Sequence, residues 1–223
     1  MEQVKLTRRS FVAGATAAGA LAALSLTGCG GGSSEKKDDG AKSDDGAKGG
    51  TLTGACAYSS TNVNPIGNSS ALMLAATWHV FEGLYDLDLH TYKTYNALAA
   101  DKPTKISDTE YEVALRDGAK FSDGNEVTAD DVVNAINQNM ADATYGAFLE
   151  FIKSVEAKDA KTVSIKLKYA FEALLETRLS VVKVFPKSLS EDELKTNPIG
   201  SGPWMYKSIN GDDGGAIEFE PNP

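Results

Sequence analysis

Apolar and polar residues alternate with period two from residue 110 to 115: Tyr111, Val113 and Leu115 against Glu110, Glu112 and Ala114. Successive side chains of a strand point to opposite faces, so the pattern predicts a half-buried strand. The alternation recurs at 162–169, with Val163, Ile165, Leu167 and Tyr169 inward and Ser164, Lys166 and Lys168 outward. The two segments make a natural antiparallel pair. Asp117-Gly118 and Asp123-Gly124 mark two turns. After Thr128 the period lengthens to that of a helix, with Val132, Val133, Ile136 and Met140 as the expected buried stripe. Thr128 is the expected N-cap, and Asp130 and Asp131 sit in the first turn, where the helix dipole favours negative charge.

Elsewhere the pattern is shorter-ranged. Residues 51–58 read as a first strand with Leu52, Cys56 and Tyr58 on one face, and 59–70 as a small, polar loop. Residues 71–81 are apolar almost all round, which predicts a buried helix ended by Gly83. Residues 84–105 show no clear period, 145–155 form a short apolar segment, and 171–179 read as helical. Ser190 and Glu193 have the spacing of a capping box. Residues 204–209 and 216–220 are expected to form a hairpin around a Gly-rich loop.

The first 28 residues change the picture of where the protein works. Arg8-Arg9 stand in T-R-R-S-F-V, which resembles a twin-arginine export signal, and an apolar run of about 16 residues follows. That run is short for a membrane span of ~20 residues. Leu26-Thr27-Gly28-Cys29 resembles a bacterial lipobox, so residues 1–28 are expected to be a signal peptide and Cys29 the lipidated N-terminus. Residues 29–50 are rich in Gly, Ser, Lys and Asp and are expected to be a flexible tether. An extracytoplasmic protein, lipid-anchored to the cell membrane, follows from these two segments.

Net charge is −9, which argues against a nucleic-acid partner. The two cysteines, Cys29 and Cys56, make no disulfide framework, and Cys56 reads as a buried strand thiol. His79 and His90 carry no metal-ligand pattern around them, and neither G-x-S-x-G nor H-E-x-x-H occurs. The pairs Asp130-Asp131 and Asp212-Asp213 are adjacent rather than facing. No catalytic residue, metal or cofactor is therefore expected, and the enzyme reading falls behind that of a binding protein.

Four blocks then carry a resemblance: V-F-E-G-L-Y at 80–85, L-R-D-G-A-K-F-S-D-G-N-E-V-T-A-D-D-V-V at 115–133, residues 159–167 with the apolar run to Pro186, and P-I-G-S-G-P-W-M-Y at 198–206. In this order they resemble the extracellular solute-binding proteins, family 5, the peptide- and nickel-binding components of ABC importers. The resemblance implies an α/β, periplasmic-binding-protein type II-like two-lobed fold. This chain would hold it in truncated form: 51–83 and 198–223 in the first lobe, 84–197 as an extra subdomain, and the second lobe missing. It implies peptide capture for delivery to ABC permease subunits, by a monomer. Ligand-contact positions then fall on Gly67, Asn68, Ser69, Ser70 and Ala71 and on Tyr145, and main-chain hydrogen bonds carry much of the affinity. With half of the clamp absent, the isolated chain is expected to bind peptide weakly or not at all, and micromolar binding would overturn that. Nickel or another small solute is the alternative within the family. A non-transport surface lipoprotein or an enzyme is the alternative outside it.

Overall fold

A computed structural model describes residues 50–55, 62–67, 70–209 and 216–223, and of Ala71 the backbone alone. The signal peptide, Cys29, Cys56, most of the tether and the loop at 210–215 lie outside the described residues. The elements below all belong to the unit Thr53–Pro223.

The two alternating segments form the centre of an antiparallel sheet. β4 (Glu110–Ala114) pairs with β6 (Thr162–Leu167), Tyr111 opposite Ile165 and Val113 opposite Val163. β3 (Thr104–Ser107) and β5 (Ile152–Ala157) flank them, giving the order β3-β4-β6-β5. Tyr111, Val113, Val163, Ile165 and Leu167 are buried, as alternation requires when one face is covered. Tyr169 is not: the strand ends at Leu167, and the amide of Lys168 donates to Phe151 O instead. Tyr169 is half exposed and stands edge-on to Phe171 with centroids 6.0 Å apart.

α2 (Ala129–Ala141) packs across β5 and β6. It starts where local chemistry dictates. Thr128 Oγ1 accepts from Asp131 N, and Asp131 Oδ2 accepts from Thr128 N at 2.9 Å, a reciprocal capping box. Its buried face differs from the apolar stripe. Ala129, Asp131, Val132, Ala135, Ile136 and Asn139 are buried, whereas Val133 and Met140 are only partly covered. Small alanines let the helix approach the sheet closely, which rotates the stripe. Asn139 Nδ2 donates to Ala135 O at 2.8 Å and so satisfies its donor inside the helix.

α1 (Ala71–Val80) is the expected apolar helix, yet it is not buried all round: Met73, Ala76, Thr77 and Val80 are buried, while Trp78 is 37% exposed. It ends in extended backbone at Phe81, not at Gly83. Gly83 serves close approach: a Cβ there would meet Tyr85 O and Val182 O at 2.8 Å. The segment without a period holds a small hairpin, β1 (Tyr85–Leu87) with β2 (Thr94–Asn96). Thr94 Oγ1 donates to Glu176 Oε2 at 2.8 Å and ties the hairpin to α3 (Leu175–Leu179).

The expected first strand is not found at 51–55. Those residues are exposed and unpaired in any ladder, Leu52 being 98% exposed. Thr51, Thr53, Gly54 and Ala55 offer too little apolar area to offset the cost of ordering the chain. Near the other end, α4 (Glu191–Thr196) carries the expected capping box, Ser190 N donating to Glu193 Oε2 at 2.8 Å. β7 (Trp204–Ile209) and β8 (Ile217–Pro221) form the expected hairpin, and β7 packs against α1. Among the described residues no helix is long and apolar enough to cross a membrane.

Candidate functional site

A cavity of about 350 Å³ opens between α1, the β1–β2 hairpin, the turn at 144–148 and the segment 180–183. One helical turn of α1 supplies Leu74, Thr77 and Trp78, because i, i+3 and i+4 share a face. Tyr95 of β2 and Tyr145 and Phe148 of the turn add three more aromatic rings. At the polar end stand Asp86 of β1 and Lys183.

These two side chains form a buried ion pair between Lys183 Nζ and Asp86 Oδ1, their side chains 7% and 12% exposed. Asp86 Oδ2 accepts from Gly83 N at 3.5 Å. Lys183 Nζ also lies 5.8 Å from the centre of the Trp78 ring, within cation–π range. At Phe148, the Arg178 guanidinium sits 5.3 Å over the ring. Burial, then the carboxylates of Asp86, Glu82 and Asp88, push the Tyr95 phenol above its usual range. Burial and then Asp142 do the same to Tyr145. Both phenols therefore stay protonated, as neutral rings with a hydroxyl.

The residues expected from sequence are placed unequally. Tyr145 is 8% exposed and lines the cavity. Asp142 Oδ1 holds its turn, accepting from Thr144 N at 2.7 Å and Tyr145 N at 2.9 Å. Gly67 is brought against that same turn: its carbonyl accepts from Thr144 Oγ1 at 3.5 Å, and a Cβ on it would meet Asp142 Oδ2 at 2.7 Å. Its φ of +71° is one that glycine adopts freely. Ser70 caps α1, its hydroxyl accepting from Met73 N at 3.2 Å, and Ala71 begins that helix. Asn68 and Ser69 lie outside the described residues. Among the described residues of 62–70, Pro65 lines the cavity.

Sequence reasoning missed Asp86, Lys183, Trp78, Tyr95 and Phe148. One signal was present: Lys183 interrupts the apolar run Val181, Val182, Val184, Phe185. A lysine there must find a partner if the run is buried. His79 is exposed with its ring edge-on to Phe219, and His90 is exposed in the hairpin turn. Among the described residues no group of three or more His, Cys, Asp or Glu side chains is arranged to hold a metal. A second hollow, beside the start of α2, has its charged groups engaged: Asp131 caps the helix and Lys187 Nζ pairs with Asp130 at 2.6 Å.

Known proteins match this chain in sequence and in shape. The model of the Bacterial extracellular solute-binding proteins, family 5 Middle, matches residues 93–223. The oligopeptide-binding protein AppA of Bacillus subtilis is 34% identical over 125 residues, covering 50% of this chain and 23% of AppA. The glutathione-binding protein GsiB of Escherichia coli is 27% identical over 180 residues, covering 73% of this chain and 35% of GsiB. The structure of B. subtilis AppA in complex with a nonapeptide superposes with a TM-score of 0.64 at 26% identity, over 74% of this chain and 34% of AppA. NikZ from Campylobacter jejuni, in complex with Ni(L-His), gives 0.61 at 26% identity, over 74% and 34%. The chain thus spans between about a quarter and a third of these relatives' length. The fold is the type II periplasmic-binding-protein class expected from the sequence. On the match over 93–223, more than half of its length, the chain belongs to the bacterial extracellular solute-binding proteins, family 5.

Proposed function

We propose that the chain is part of an extracytoplasmic solute-binding lipoprotein of an ABC importer that captures peptides and delivers them to a membrane permease. The observation that carries this reading is the cavity: four aromatic side chains and one buried ion pair, in a member of a solute-binding family. Such a lining grips apolar groups and orients them with few polar contacts. The names of AppA and GsiB, an oligopeptide binder and a glutathione binder, support a peptide-like solute. In this reading the chain performs no catalysis, and ATP is used by another subunit. Residues 51–83 and 198–223 form one lobe and 84–197 an added subdomain; the packing of β7 on α1 supports that return. Gly67, Asn68, Ser69, Ser70, Ala71 and Tyr145 contact the ligand, and lipid on Cys29 holds a monomer at the membrane.

Calorimetric titration with peptides of three to nine residues tests the capture. Saturable heat at a one-to-one ratio, at millimolar peptide, supports it, and saturation by a solute of another class without any peptide heat overturns it. Nickel complexed by histidine is the second reading, on the likeness to NikZ. Saturation by that complex and not by peptide would favour it. Membrane fractionation of a Cys29→Ser variant tests the anchor: unchanged sedimentation with membranes counts against it.

A further inference from the structure

Lys183 is 6% exposed, yet among the described residues its ammonium has one hydrogen-bond acceptor, Asp86, and one ring face, Trp78. An ammonium carries three donors. Burying an ion pair is repaid only with good geometry and further hydrogen bonds to the remaining protons. Those further bonds are missing on Lys183, and Lys183 lines the cavity. Donor capacity is therefore held ready inside an aromatic-walled space.

Charge balance narrows what can use it. Lys183 and Asp86 are neutral as a unit. A ligand carboxylate would bury a net negative charge in a region already bordered by Asp88 and Asp142, Glu82 being paired with Arg116 at 3.1 Å. A ligand ammonium would face Lys183 within the cavity and Arg178 over Phe148. A neutral group with an acceptor oxygen disturbs neither. The volume, about 350 Å³, is at the small end for ligand cavities and suits one residue's side chain rather than a whole oligopeptide.

We propose that this cavity is a specificity subsite for an uncharged side chain with an apolar or aromatic body and an acceptor oxygen near its tip, tyrosine- or glutamine-like. Lys183 donates to that oxygen, and Asp86 holds the net charge at zero. The subsite deepens, and rests on, the solute-binding reading above.

The test follows the Trp78 indole N–H by nuclear magnetic resonance in the full chain, with the Trp204 indole on β7 as internal control. The probes are the N-acetyl amides of tyrosine, glutamine, glutamate, lysine and leucine. Tyrosine and glutamine amides are expected to shift Trp78 at millimolar concentration, with glutamate and lysine amides weaker by about tenfold or more. Asp86→Asn, which keeps the shape and leaves Lys183 uncompensated, is expected to reverse the order in favour of the glutamate amide. Lys183→Met is expected to favour the lysine amide. Should either single variant fail to fold, the double variant Asp86→Asn/Lys183→Met restores neutrality and is expected to bind leucine and glutamine amides equally. Equal binding of all five probes by the parent chain, an unchanged order in the variants, or no response at Trp78 overturns the proposal. Peptide heat in the calorimeter without a Trp78 response removes the subsite alone. A Trp78 response together with saturation by a non-peptide solute supports the subsite and removes the peptide reading.

Discussion

The carboxylate of Asp131 accepts the backbone amide of Lys187 at 2.9 Å, across 56 residues of sequence. Its other oxygen accepts Thr128 N at 2.9 Å and Thr128 Oγ1 at 2.6 Å. One side chain therefore starts α2 and ties the segment after Phe185 to it. Asp131→Ala removes more than the helix-dipole effect of ~0.3–1 kcal/mol. It leaves partly buried donors without acceptors, so the expected loss is about 1–2 kcal/mol by urea unfolding. A loss below about 0.5 kcal/mol would show that the tie carries no stability.

The G-S-G of the block at 198–206 has a packing origin. A Cβ on Gly200 would lie 2.0 Å from Val80 O, and one on Gly202 2.6 Å from His79 O, because this segment crosses the end of α1. Gly202 N donates to Val80 O at 2.9 Å. Backbone cannot yield as a side chain can. Gly200→Ala is expected to destabilise by about 1–3 kcal/mol, read as a lower midpoint in thermal unfolding. Retention of the parent midpoint would refute the close crossing.

The Lys183–Asp86 pair predicts a non-additive cycle. Lys183→Met leaves a buried carboxylate without its partner and is expected to cost about 3–5 kcal/mol. The double variant with Asp86→Asn is expected to recover much of that loss. Additive losses in the four-way denaturation cycle would mean that the two groups do not interact.

Acid should loosen α4 through Glu193. Its side-chain bond with Ser190, then the Ser190 amide, hold the carboxyl below its ordinary value of 4.5. A depressed folded-state pKa adds stability that is present above the unfolded value and lost as pH falls through the folded one. Glu193→Gln is expected to lower the thermal midpoint slightly near neutrality and to flatten its fall below pH 4.5, the two proteins converging in acid. An acid limb identical to the parent's would rule out this contribution.

Much of the fold was legible because its determinants are local. The alternation at 110–115 and 162–167 became β4 and β6, and the caps at Thr128 and Ser190 are read within four residues. Tyr169 and Leu52 were misread for the same reason: alternation continues in the sequence where the ladder has no partner. At the site, Tyr145 and Gly67 came forward through resemblance, and the structure brings them to one turn. Trp78 was hidden inside an all-apolar pattern, which does not say which arc of the helix stays open.

The sequence by itself determined the central strands, the capped helices and the family, since period, capping and turn chemistry act between near neighbours. Only the tertiary structure decided that Asp86 and Lys183, 97 residues apart, would meet in an aromatic cavity. Whether a charge can be buried depends on its partner and on the packing around both. Neither is encoded near Lys183 in the chain, and both exist only once α1, the β1–β2 hairpin and the segment 180–183 have come together.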